Sequence, residues 1–187
     1  MIAAVVLAGG ESRRMGFPKL TLEHAGRTLL AGAVHRAKQV SDLVVVVVGA
    51  YPEVYAPIAE GAGATVVENP AWASGLASSL RAGVAALPAE VEGTLVLLAD
   101  QPFVTPEHLQ MLIDTYRTSK APLVFSAYEG VEGAPSFVGQ ALFAEVDTLT
   151  GDKGLRGLGG ARATVPLERP FDVDTPEDAE RLQSDAR

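Results

Sequence analysis

Residues 2–19, IAAVVLAGGESRRMGFPK, pass from an unbroken apolar run directly into a glycine-rich loop that carries three cations. An apolar run without polar alternation suits a strand whose sheet is covered by helices on both faces, because neither side meets water. Ala8-Gly9-Gly10 then lets the main chain turn sharply and approach a ligand with no Cβ in the way. In an open α/β sheet such a first loop lies at the carboxyl edge of its strand, where ligands bind.

Similar runs at 43–48, 65–67, 94–99, 123–127 and 164–167 read as further strands. Between them, apolar residues at three- and four-residue spacing predict helices over 28–40, 75–87, 106–116, 139–149 and 176–183. Thr105-Pro106 and Thr175-Pro176 mark two helix starts, a capping hydroxyl followed by proline at the first helical position. The β-α alternation predicts a single-domain α/β fold over residues 1–187, with a doubly wound, mostly parallel sheet. From 123 to 167 the pattern loosens among many glycines, which points to an insertion into the alternation.

Fifteen Lys and Arg against 23 Asp and Glu, a net charge of −8, leave no overall positive field for nucleic acid or an anionic membrane. The absence of cysteine excludes disulfides, thiolate metal sites and cysteine nucleophiles. The longest later apolar run, Leu43–Val48, is far short of the ~20 residues that span a bilayer. No basic stretch precedes Ile2, and Arg13-Arg14 follow the run, unlike a secretory leader, so the expected location is cytoplasmic.

Within the first loop Arg13, Arg14 and Lys19 face one acid, Glu11, so the local field opposes that of the chain and suits a small polyanion. Neither GxxxxGK[ST] nor GxGxxG fits, which disfavours an ordinary ATPase or dehydrogenase. The alternative is a tight turn with solvated cations. Asp100, at the end of the apolar run 94–99, would face the same crevice and offers the hard oxygen that Mg²⁺ requires. Asp172 and Asp174 sit at alternate positions of an extended segment, pointing the same way. They complete a metal site or, for Asp174, support the turn that opens the last helix. Asn69 to Gly83 reads as a polar loop opening a helix near Gly75, either presenting free N–H groups to a nucleotide or simply capping the helix. His24, His35 and His108 form no evident cluster, so no general base stands out.

Leu7 to Lys19 resembles the signature of the MobA-like nucleotidyltransferases, LAxGxSxRMGxPK, matching at Leu7, Ala8, Gly10, Ser12, Arg14, Met15, Gly16, Pro18 and Lys19. LLADQP around Asp100 and FDVDTPED around Asp172 and Asp174 resemble further motifs of that family. NPxxxxGxxxSLxxG from Asn69 to Gly83 and GDKGxR from Gly151 to Arg156 are both similar to the branch that transfers CMP to the molybdenum cofactor. The resemblance implies a Rossmann-like fold of the nucleotide-diphospho-sugar transferase type. It implies nucleotide contacts from Leu7, Ala8, Gly9, Gly10, Asn69, Gly75 and Ser79, with Arg14 and Lys19 on the triphosphate and Asp100 on Mg²⁺. Lys153 and Arg156 are implied to dock a phosphorylated acceptor.

The implied partners are CTP or GTP and molybdopterin, with a transient contact to a molybdoenzyme or its chaperone. Gly9 stands where the cytidylyl branch usually has Ala, and Ala134 where it tends to have His. A phosphate acceptor is already an anion and attacks the α-phosphorus without a base. A transferase acting on a sugar phosphate, or a non-catalytic nucleotide-binding module, would show the same nucleotide half.

Overall fold

The computed structural model describes residues 1–168 and 171–184. The first apolar run forms β1 (Ile2–Ala8), all seven residues of which are buried. A two-residue ribbon, β2 (Glu23–His24) with β3 (Arg27–Thr28), leads into α1 (Leu29–Lys38), whose N-terminus is capped by Thr28 Oγ1 accepting from Ala31 N. Next come β4 (Leu43–Val48), α2 (Pro52–Gly61), β5 (Thr65–Glu68), α3 (Leu76–Ala85) and β6 (Gly93–Leu98). The chain continues through α4 (Pro106–Ser119), β7 (Leu123–Tyr128), β8 (Val131–Gly139), α5 (Phe143–Val146), β9 (Arg162–Pro166) and α6 (Pro176–Ser184).

Seven strands form one sheet in the order β5-β4-β1-β6-β8-β7-β9. Every neighbouring pair is parallel except those that β8 makes with β6 and β7. The expected mostly parallel α/β sheet is therefore present. Alternate residues of β1 serve opposite layers: Ala4, Val6 and Ala8 pack with α1, α2 and α4, and Val5 and Leu7 pack with α3. After β1 the chain moves to β4 and β5 on one side, then returns to β6 on the other. The crevice between the carboxyl ends of β1 and β6 is thus the switch point of a doubly wound sheet.

Both predicted caps form, Thr105 Oγ1 accepting from His108 N at 3.2 Å and Thr175 pairing reciprocally with Asp178. The long helix expected over 139–149 is instead a single 3-10 turn, Gln140–Leu142, followed by the one-turn α5. Helix α2 has no counterpart among the predicted helices, because Pro52 and Pro57 mask its periodicity, although Pro52 occupies the tolerated first turn. The insertion expected after residue 123 is β8, whose Gly133 and Pro135 hide a strand that ordinary alternation would reveal. No helix among the described residues is long and apolar enough to cross a membrane.

Candidate active site

The glycine loop is braced from below before it offers anything to a ligand. Ser12, in the left-handed region at φ 54°, accepts from Met15 N and Gly16 N at 2.9 and 3.1 Å, closing a turn that buries Met15. Tyr51 Oη donates to Glu11 O at 2.9 Å, and the fully buried Tyr55 lies beneath, accepting from Leu20 N at 3.5 Å. A Cβ on Gly49 would fall 2.7 Å from Gly9 O and 2.6 Å from Trp72 Cβ, so the loop rests on bare backbone at the end of β4. Tyr51, Tyr55 and Trp72 escape a motif-based reading. The four-residue spacing of the two tyrosines is the one local signal for them.

Above this loop opens a cleft of about 610 Å³. Its lining includes Leu7, Ala8, Gly9, Gly10, Trp72 and Ser79 together with the charged group Arg14, Lys19, Asp100 and Asp174. Lys19 Nζ donates to Asp100 Oδ2 at 2.5 Å and to Asp174 Oδ1 at 2.8 Å, and Arg14 donates to Asp174 Oδ2 at 2.8 Å. Burial alone would lower the Lys19 pKa, but the two carboxylates outweigh it and hold the ammonium above its ordinary range. Burial likewise works to raise Asp174, yet Lys19 and Arg14 bring it below the usual carboxylate value. Arg13 pairs with Glu11 at the surface.

Asp100 Oδ1 is buried and has no hydrogen-bond partner among the described residues. Asp172 stands beside this group but faces differently, accepting from Gln101 Nε2 at 2.8 Å. Desolvation of its carboxyl, then the neighbouring charges of Asp100 and Asp174, push its pKa up. Val173 is turned inward between the two acids and its N–H donates to Asp100 O at 3.0 Å. The acids on either side of Val173 meet different partners, Asp172 meeting Gln101 and Asp174 meeting Lys19 and Arg14. As they stand, no three His, Asp or Glu side chains among the described residues are grouped to hold a metal.

Gly75 and Ser79 line the cleft, whereas Asn69 does not. Its buried amide donates to Ser78 Oγ and Ser79 Oγ at 2.8 and 3.0 Å, making it a brace for Ser79. The N–H groups that open α3 are not free either. Leu76 N donates to Asp152 Oδ1 at 3.1 Å and Ala77 N to Gly151 O at 2.9 Å, across 76 and 74 positions of sequence. Gly75, at φ 109°, permits this approach, since a Cβ there would lie 2.7 Å from Asp152 Oδ1. The capping alternative is thus the one the fold uses, with the cap supplied from a distant loop.

That loop also carries Lys153 and Arg156, exposed on the rim of a second cleft of about 190 Å³. The two clefts adjoin, sharing Leu7, Leu76, Leu98 and Asp152. The histidines are apart: His24 meets Phe103 edge-on, His35 is exposed, and buried His108 hydrogen-bonds Ser126 at 2.7 Å.

A model of the MobA-like NTP transferase domain matches residues 4–165. The chain belongs to the MobA-like NTP transferase family. Within and around this nucleotidyltransferase family, it is 26% identical to the molybdenum cofactor cytidylyltransferase of Escherichia coli K12, over 95% of this chain and 93% of that one. It is 30% identical to the nicotine blue oxidoreductase of Paenarthrobacter nicotinovorans, over 83% of this chain and 79% of that protein. The bifunctional protein GlmU of Rhodococcus opacus is 33% identical over 68% of this chain, which spans only 28% of that protein's length. Among solved structures, Rv0371c of Mycobacterium tuberculosis H37Rv matches with a TM-score of 0.82 at 31% identity, covering 98% of both chains. A manganese complex of Rv0371c matches with a TM-score of 0.79 at 27% identity, again over 98% of both.

Proposed function

We propose that this MobA-like transferase moves a nucleoside monophosphate from CTP, or alternatively GTP, to a phosphorylated acceptor, molybdopterin in the first instance, with release of pyrophosphate. The observation that carries the reading is the pair of adjoining clefts, one walled by Arg14, Lys19, Asp100 and Asp174 and the other rimmed by Lys153 and Arg156. The triphosphate would lie toward Arg14 and Lys19, with the base against Ala8, Gly9, Gly10 and Ser79. A phosphate oxygen of the acceptor attacks the α-phosphorus, and the bond to the leaving pyrophosphate breaks. The acceptor is already anionic, so His108, buried away from both clefts, is not required as a base.

Asp100 and Asp174 are suited to Mg²⁺, because the buried Oδ1 of Asp100 is a hard acceptor that no hydrogen-bond donor among the described residues meets. Asp172 joins the set, since burial, and after it the nearby charges of Asp100 and Asp174, raise its pKa and a dication would offset both. When bound, the ion supplies positive charge to the phosphate oxygens. Lys19 exchanges its carboxylates for phosphate, and Arg14 does the same from the rim. Preorganised charge of this kind is worth orders of magnitude in rate.

Pyrophosphate release with Mg²⁺, CTP or GTP and a panel of phosphorylated acceptors tests the reading. Tight nucleotide binding without turnover on any acceptor would make this a binding module. A second reading takes a sugar phosphate as acceptor, since the nucleotide half would be the same, and faster turnover of a hexose 1-phosphate than of molybdopterin would select it.

A further inference from the structure

Among the described residues four buried side-chain atoms have no hydrogen-bond partner: Nδ1 of His24, Nε of Arg36, Oδ1 of Asp100 and Oε1 of Gln101. All four belong to the turn at 100–103 or to residues against it, since Arg36 Nη2 donates to Gln101 O at 3.1 Å and the ring of His24 meets Phe103 edge-on. Asp100 Oδ1 is accounted for by the ion that the acids would hold. Gln101 is not. It is 6% exposed, and a buried amide with an unpartnered oxygen is costly, so the fold retains it for its other end.

That end is Nε2, which donates to Asp172 Oδ1 at 2.8 Å and reaches Ala134 O at 3.5 Å. Asp172 fixes which way the amide faces, because the reverse orientation would set Oε1 against a carboxylate, which only accepts. Gln101 is thus pinned twice, at its carbonyl by Arg36 and at its side chain by Asp172. A second tie joins the same two segments, Val173 N donating to Asp100 O at 3.0 Å. The turn after β6 and the segment 172–174 are therefore held by a side-chain bond and a main-chain bond at neighbouring positions.

The three acids differ in what holds them. Asp100 and Asp174 meet the ammonium of Lys19, and Asp174 also meets Arg14. Asp172 forms no ion pair among the described residues and is held by a neutral donor. A cation in the place of Gln101 would cancel the charge that a dication seeks, whereas an amide orients the carboxylate and leaves its charge intact. Resting on the reading of these acids as a Mg²⁺ site, we infer that Gln101 is a positioning residue, whose amide presents Asp172 to the ion fixed in place and uncompensated.

The probe is Mn²⁺, titrated without nucleotide into the full chain and its variants and followed by electron paramagnetic resonance. Gln101→Met keeps the length of the side chain and removes the donor, and should bind Mn²⁺ about tenfold more weakly than the wild type. It should melt near the wild type, because the unpartnered oxygen leaves with the donor. Gln101→Lys returns a donor to Asp172 but adds a charge, and should bind Mn²⁺ more weakly still. A residue that merely braced the turn would be rescued by lysine. Combined with Asp172→Asn, Gln101→Met should add no further loss of Mn²⁺ affinity, because it acts through that acid. An unchanged affinity in Gln101→Met, recovery in Gln101→Lys, or a full further loss in the double variant overturns the inference. Asp100→Asn separates the two readings. Unchanged Mn²⁺ affinity there refutes the metal site itself, whereas a loss there with none in Gln101→Met refutes the role of Gln101 alone.

Discussion

Lys19 Nζ lies 2.5 Å from Asp100 Oδ2, a pair joined across 81 positions of sequence. The ammonium that would hold a triphosphate is held here by the carboxylate that would hold its metal. With Arg14 and Asp174 the group carries two charges of each sign, so it is neutral and stable as it stands. Removing either sign from it should expose the other.

Lys19→Ala is expected to lower kcat/KM at least about 100-fold, by loss of charge stabilisation in the transition state. It should also cost about 1–3 kcal/mol, because it strands Asp100 and leaves Asp174 with Arg14 alone. Mg²⁺ should then raise the melting temperature of the variant more than that of the wild type. An equal response in thermal denaturation would show that these acids do not hold the metal. Asp100→Asn should lose the Mg²⁺ response altogether.

Asp172 and Asp174 should give opposite signs with pH. The raised pKa of Asp172 makes its charge a liability in the fold, so Asp172→Asn should be more stable than the wild type at neutral pH. That advantage disappears as pH falls below the ordinary carboxylate value and both states become protonated. Asp174, whose pKa is lowered, contributes stability above the ordinary value and loses it as pH falls through its lower folded value. Asp174→Asn should therefore be the less stable variant at neutral pH. Melting curves of the two variants from pH 3 to about 7 decide the matter.

Asp152→Ala removes the cap of α3 and should cost about 1 kcal/mol, roughly 2–4 °C in melting temperature. Asp152→Asn keeps an oxygen for Leu76 N and should restore most of it. Comparable losses in both variants would mean that charge, and not the hydrogen bond, secures the junction of the clefts.

Two glycines of the site should behave oppositely. Gly49→Ala drives a methyl into Gly9 and Trp72 and should destabilise by about 1–3 kcal/mol while weakening CTP binding. A Cβ on Gly10 meets nothing within 4 Å among the described residues, so Gly10→Ala should melt normally and lose nucleotide affinity alone. Denaturation and calorimetry on the same preparations separate the two.

The base itself is addressed by Gly9→Ala, whose methyl would stand 3.0 Å from Ser79 Oγ and narrow that end of the cleft. The ratio of kcat/KM for CTP to that for GTP should rise. An unchanged ratio would place base selection on other residues.

Much of this molecule is local in origin. The continuous apolar runs of β1, β4 and β6 dictate buried parallel strands, and Thr105-Pro106 and Thr175-Pro176 dictate helix starts, because period, capping and proline geometry act within a few residues. The glycine loop and its cations are equally legible, being contiguous. The tertiary structure decided what each charge meets. Lys19 found Asp100 and Asp174, Leu76 found Asp152, and Asn69 turned from the cleft to brace Ser79. Such partners are fixed by the parallel pairing of β1 with β6 and by the loop at 151–152, tens of positions apart, and no local pattern encodes them.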